Sequence, residues 1–336
     1  MRFGTFQIDD TDLAGAKLAH RTVLKNGVKF AKGKVLSEAD LTALHQSGLE
    51  SVTAAILEAG DIWEDDAARL LSEVFGGSHI RIGKAATGRV NLYAACDGIL
   101  TYERENFVAF NSVDPRITCA ALKPYERVKN GQMVATVKII PFGLPKAACE
   151  KAINALNGDV FNVHSYDHDL KIALIQTLLE ETAAKVLDKT QKVTTERLSA
   201  FGLELDASDR LPHKAEILAS HLSGAASAQD IIIIFGASAI CDIADVVPQA
   251  IVHAGGKIDY LGMPVDPGNL ILLGHIGETT IVGAPGCARS AKLNGFDWVL
   301  ERLCARLPVT SQDIVEMSVG GLLTEIPSRP SPRDKP

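Results

Sequence analysis

Apolar positions along the chain follow two regimes. In the first, short alternating runs are interrupted by isolated helical patterns. Ser37-Glu38-Ala39-Asp40 has the form of a capping box, and Leu41, Leu44 and His45 follow at helical spacing until Gly48 stops the pattern. Residues 51–56 alternate as a strand, and 61–75 predict a second helix ended by Gly76-Gly77. Strands are then predicted over 89–93, 98–102, 117–122 and 133–140, before a helix over 147–156.

Beyond a polar stretch, 157–169, the pattern becomes a regular alternation. Residues 171–176, 203–205, 230–235 and 257–261 predict strands, and 190–201, 213–222 and 245–254 predict the helices between them. A hairpin-like pair, 270–273 and 279–282, and a helix over 296–307 follow. Strands alternating with helices of this length imply a sheet covered on both faces. The expected fold class is therefore α/β, a three-layer domain on a parallel or mixed sheet, preceded by an α+β, β-rich domain.

At 336 residues the chain is long enough for two cores. The expected division is 1–165, 166–326 and a tail, 327–336, in which Pro327, Pro330, Pro332 and Pro336 stand without a large apolar neighbour. The longest apolar runs fall well short of the roughly 20 residues a membrane helix needs, and the N-terminus lacks a signal-peptide apolar stretch. A cytoplasmic protein is expected. A formal net charge of -7 argues against nucleic-acid and membrane partners, so an anionic ligand must be held locally. The 6 cysteines form no CxxC pair, and aromatic residues are only 5%, which disfavours zinc knuckles and a base-stacking surface.

In an open α/β sheet, ligands settle at the carboxyl ends of the strands, so the turns there are the places to inspect. After the run Ile231–Phe235 comes Gly236-Ala237-Ser238-Ala239, whose backbone permits close approach of a phosphate. Asp242 and Asp245 follow; they either hold magnesium or orient a reacting group, or one of them caps the next helix. A second turn carries Asp266-Pro267-Gly268-Asn269, and a third carries Pro285-Gly286-Cys287-Ala288-Arg289-Ser290, with a cation able to pair with an anion. Three such turns on one edge are stronger than any one alone.

Taken together these segments resemble the molybdenum-cofactor-biosynthesis family, most closely its molybdopterin molybdotransferase branch, over residues 171–307. The resemblance implies molybdopterin as ligand or substrate, and places Thr177 and Asp188-Lys189-Thr190 at the family's first strand and loop and Arg210-Leu211-Pro212-His213 at its second. The whole chain is similar to the front half of bacterial fusion proteins that join a molybdopterin-binding unit to a nucleotidyltransferase. That implies a homodimer and a separate nucleotidyltransferase partner. Three functions follow from the resemblance: holding molybdopterin or its nucleotide form by its phosphate on the Gly-rich turns; inserting molybdate, with Asp242 or Asp245 taking part and Mg2+ as a candidate ion; or scaffolding the partner without catalysis. Where molybdotransferases place lysines around the Pro-Gly turn this chain has Asp266 and Asn269, and Cys287 stands where an Asn is usual. Fewer cations weaken the case for joining two anions more than the case for binding one.

Other residues have bland and functional readings. The sequence His164-Ser165-Tyr166-Asp167-His168-Asp169 is metal-like in composition but falls in the expected link. Cys287 is either a nucleophile lowered by a helix terminus or a small apolar filler, with the filler favoured. Lys138 and the Thr87-Gly88-Arg89 turn either reach a phosphate or are simply exposed.

Overall fold

The computed structural model describes residues 1–156 and 160–323. The expected tail, 327–336, and residues 157–159 of the polar stretch lie outside the described residues. The chain divides into two units, residues 1–165 and the residues from Tyr166 onward.

The second unit is built on a six-stranded sheet. Its elements are β1 (Ile172–Leu178), α1 (Ala184–Ser199), β2 (Ala207–Pro212), α2 (Ala215–Ala225), β3 (Ile231–Phe235), α3 (Val246–His253), β4 (Lys257–Leu261), β5 (Leu272–Ile276), β6 (Thr279–Ala284), α4 (Gly295–Cys304) and α5 (Ser311–Glu316). The strand order is β2-β1-β3-β6-β5-β4. The pairs β2/β1, β1/β3 and β3/β6 are parallel, and β6/β5 and β5/β4 are antiparallel, so the sheet is mixed.

All five residues of β3 are buried because both faces are covered. Ile232 and Ile234 pack with Leu218 and Leu222 of α2 and with Val247 and Ile251 of α3. Phe235 meets Phe296 of α4 on the opposite face, where Gln176 donates to the Leu187 carbonyl of α1. Burying each such aliphatic side chain contributes about 1.5–3 kcal/mol. The helix starts are locally encoded: Asn294 and Asp297 form a capping box on α4, and Asp245 caps α3.

In the first unit the capping box at Ser37 and Asp40 opens the helix Glu38–Gln46. A four-stranded sheet, ordered Ile117–Ala121, Met133–Ile139, Arg89–Ala94 and Ile80–Ile82, packs its apolar face on the helix Glu64–Glu73.

Several expectations change. Residues 61–63 are a strand, Asp61–Trp63, paired with Gly143–Pro145, so the second helix begins at Glu64. The strand expected over 203–205 lies instead at Ala207–Pro212, where a more polar edge sequence pairs only with β1. The polar stretch is no linker at its centre: Asn162–Ser165 pairs with Gly98–Thr101, His164 bonds Thr101 at 2.9 Å, and Asp167 accepts from Arg306 at 2.7 Å. The helix Arg104–Ser112 has no side-chain cap to announce it.

Candidate functional site

Because β1, β3 and β6 are parallel, their carboxyl ends open on one edge. Two successive antiparallel pairings return β4 to the same direction, so the turn between β4 and β5 opens there too. The three small-residue turns therefore share one rim of one sheet.

The first turn is fixed by Thr177, fully buried at the end of β1. Its Oγ1 accepts from the Ala237 amide at 2.9 Å and lies 2.8 Å from His213 Nδ1. Burial holds the His213 imidazole below its usual pKa, with the Asp245 charge acting weakly the other way. Gly236 is required by close approach, since a Cβ there would lie 2.7 Å from the Ser238 carbonyl. Ala237 is committed to Thr177, whereas the amides of Ser238 and Ala239, both exposed, have no partner among the described residues.

The third turn places Arg289 against the first. Its guanidinium donates to the Gly236 carbonyl at 2.8 Å and to Thr190 Oγ1 at 2.7 Å, and it covers the Phe235 ring at 5.0 Å. Burial lowers its pKa, and among the described residues it has no carboxylate partner. A half-buried guanidinium with five donors and no counter-charge favours an anion beside it. Arg197 of α1 holds the same turn from behind, donating to Asp297 Oδ1 at 2.5 Å, to the Ala288 carbonyl at 2.7 Å and to the Ser290 carbonyl at 2.5 Å.

The second turn is tied elsewhere. Pro267 accepts from the Gly295 amide at 2.9 Å, Asp266 exchanges backbone bonds with Gly321 and Leu323, and Asn269 donates to the Met263 carbonyl at 3.4 Å. Gly268, at φ 137°, leaves no room for a Cβ, which would stand 2.5 Å from Gly295 N.

Residues 173–305 match the model of a family described as "probable molybdopterin binding domain". Among solved structures with a similar chain, the molybdopterin biosynthesis MoeA protein from Pyrococcus horikosii shares 13% identity over 73% of this chain and 79% of its own, with a TM-score of 0.31. The molybdopterin biosynthesis enzyme MoaB from Thermus thermophilus shares 16% over 41% of this chain and 98% of its own, with a TM-score of 0.29. A molybdenum cofactor biosynthesis protein from Pyrococcus furiosus shares 14% over 73% of this chain and 71% of its own, with a TM-score of 0.27. No curated protein matches the chain.

Within the matched stretch, the residues expected at the first loop are redistributed. Asp188, Lys189 and Thr190 lie in the second turn of α1 because the helix starts six residues earlier than its periodicity suggested. Asp188 accepts from Arg210 at 2.6 Å and faces β2; Lys189 is exposed; only Thr190 reaches the rim, through Arg289. Asp245 accepts from the Val246 amide at 2.7 Å and caps α3, while Asp242 accepts from the Ala244 amide at 2.8 Å in a turn. Burial pushes the Cys287 thiol up, opposite to what a nucleophile needs, and Ala288 is buried. Pro285 and Gly286 begin the short helical turn Gly286–Arg289 that aims Arg289 back at β3.

Among the described residues no three His, Cys, Asp or Glu side chains gather to hold a metal ion, and no helix is long and apolar enough to cross a membrane. A cleft of about 370 Å³ lies at the opposite, amino edge of the sheet beside Ile231 and Thr280. Among the charged groups there, Arg306 pairs with Asp230 and Asp167, and His275 with Asp259.

Sequence reasoning missed Arg197 and the role of His213 at the rim. Arg197 sits on the buried side of a helix otherwise rich in charge, a signal visible only once its partners are close in space.

Proposed function

We propose that this chain binds molybdopterin, bare or in its nucleotide form, at the rim of its second unit, and that Arg289 and the amides of Ser238 and Ala239 take the phosphate. The observation that carries this reading is Arg289: a desolvated cation, without a carboxylate partner among the described residues, set between two small-residue turns of a domain of the molybdopterin binding family. The donor set suits a phosphate, being one guanidinium and two backbone N–H groups at a loop with no acidic side chain between Gly236 and Cys241.

Asp242 and Asp245 already accept backbone amides, which supports binding over molybdate insertion. Molybdate and Mg2+ therefore enter only as later reactants. The homodimer, the separate nucleotidyltransferase and the cytoplasmic setting belong to this same reading and rest on the family resemblance. Light scattering on the purified chain tests the dimer.

The binding test is a calorimetric titration of the purified full chain with molybdopterin. Saturable binding is expected, weakened about tenfold or more in Arg289→Gln, which corresponds to about 1.4 kcal/mol, and partly recovered in Arg289→Lys. Absence of saturation by the wild type, or equal affinity in a folded Arg289→Gln variant, would overturn it.

A further inference from the structure

The first unit carries a polar surface of its own. In its four-stranded sheet one face is the core, formed by Val90, Leu92, Cys119, Ala135, Val137 and Ile139. The other face lies open. Strand register aligns Thr118, Lys138 and Arg89 in one row, Ala120, Thr136 and Asn91 in the next, and Tyr93 beside Arg81 in a third. The four strands contain no Asp or Glu. Arg89, Lys138 and Arg81 form no ion pair among the described residues, and Arg81 lies over the Tyr93 ring at 4.5 Å.

Arg89 and Lys138 are direct cross-strand partners, an arrangement in which like charges repel unless an anion sits between them. The turn feeding Arg89 is fixed around them. Ala86 and Arg89 exchange backbone bonds at 3.0 and 3.1 Å, which leaves Thr87 and Gly88 as a two-residue turn with φ of 52° and 69°. A β-branched residue at positive φ is strained, and such strain persists only where surroundings impose it. Here they do: Lys138 Nζ donates to the Thr87 carbonyl at 2.5 Å, and Asp65 accepts from the Gly88 amide at 2.5 Å from the core side. No side chain fits at Gly88, where a Cβ would lie 2.9 Å from Glu64 Cβ. The Thr87 hydroxyl and the Arg89 guanidinium are left exposed and without partners among the described residues.

We infer that this turn and Lys138 form a second anion site, in the first unit, that takes a phosphate group of a small molecule. The donors are the Arg89 guanidinium, the remaining Lys138 N–H groups and the Thr87 hydroxyl, a planar fork beside a point charge and a neutral donor. The phosphate has two sources, a free pyrophosphate or the phosphates of a nucleotide, for which Tyr93 two pleats along the same face offers an aromatic surface.

The test titrates the full chain with pyrophosphate and, separately, with ADP, following ³¹P line broadening and heat. In an Arg289→Gln background, which removes the rim's cation, binding of at least one probe is expected to persist and to weaken tenfold or more when Arg89→Gln is added, so that failure here and failure at the rim are distinguishable. Tighter binding of ADP than of pyrophosphate, lost in Tyr93→Leu, assigns the nucleotide; equal binding of both assigns the free anion. The inference is overturned if neither probe binds in the Arg289→Gln background, or if adding Arg89→Gln there leaves binding unchanged. Capture of poly-glutamate that depends on Arg89, with neither phosphate compound binding, would equally overturn it and make the face a dock for an acidic polypeptide.

Discussion

Arg197 and Asp297, one hundred residues apart in sequence, are bonded at 2.5 Å, and through that pair α1 dictates the course of the turn that bears Arg289. The carboxylate also closes the capping box of α4, so a single side chain anchors a helix start and a rim turn together.

Replacing Arg197 by Ala is expected to destabilise the second unit by about 3–5 kcal/mol, since Asp297 and two carbonyls lose their partner at a largely buried site. Trp298 lies next to Asp297 and Trp63 lies in the first unit. Urea unfolding followed by fluorescence of single-Trp variants should show the Trp298 transition moving to lower urea with that of Trp63 unmoved.

Thr177→Val keeps the shape of the β1 end but removes the acceptor of the Ala237 amide. A loss of about 1–3 kcal/mol is expected, with faster hydrogen exchange at Ala237. An exchange rate equal to that of the wild type would show that the first turn is held by something else.

The His213 imidazole is kept below its usual pKa by burial. Its folded pKa is lower than its unfolded one, so below about pH 6.5 the unfolded chain binds the proton more readily and stability falls with pH. Melting temperatures measured from pH 7.5 to 5 should decline more steeply in the wild type than in His213→Asn. The burial of His164 adds to the slope in both proteins.

Gly268→Ala is expected to loosen the second turn severely, because a Cβ would press on the Gly295 backbone and the φ of 137° strains any L side chain. A penalty of about 1–3 kcal/mol from the dihedral alone is a lower bound. The Trp298 signal again reports it.

The parts of the fold that were legible in the sequence are those encoded locally. The isoleucine run of β3, the Ser37 capping box and the spacing of the three small-residue turns each announce themselves within a few residues. What was hidden depends on distant partners. Asp61–Trp63 is a strand only because Gly143–Pro145 pairs with it, and Ala207–Pro212 is a strand only because β1 offers it an edge. At the rim, the separate residues of the turns could be named from sequence, but not that Thr190 would face Arg289 while Asp188 faces Arg210. Adjacent positions on a helix diverge by about 100°, and a misplaced helix start reassigns all of them.

The bond from Ala237 to Thr177 also has a kinetic meaning. A lip already drawn down onto a buried hydroxyl has little freedom left to surrender when a guest arrives, so capture there should proceed without a slow closing phase and release should be governed by the guest's own contacts.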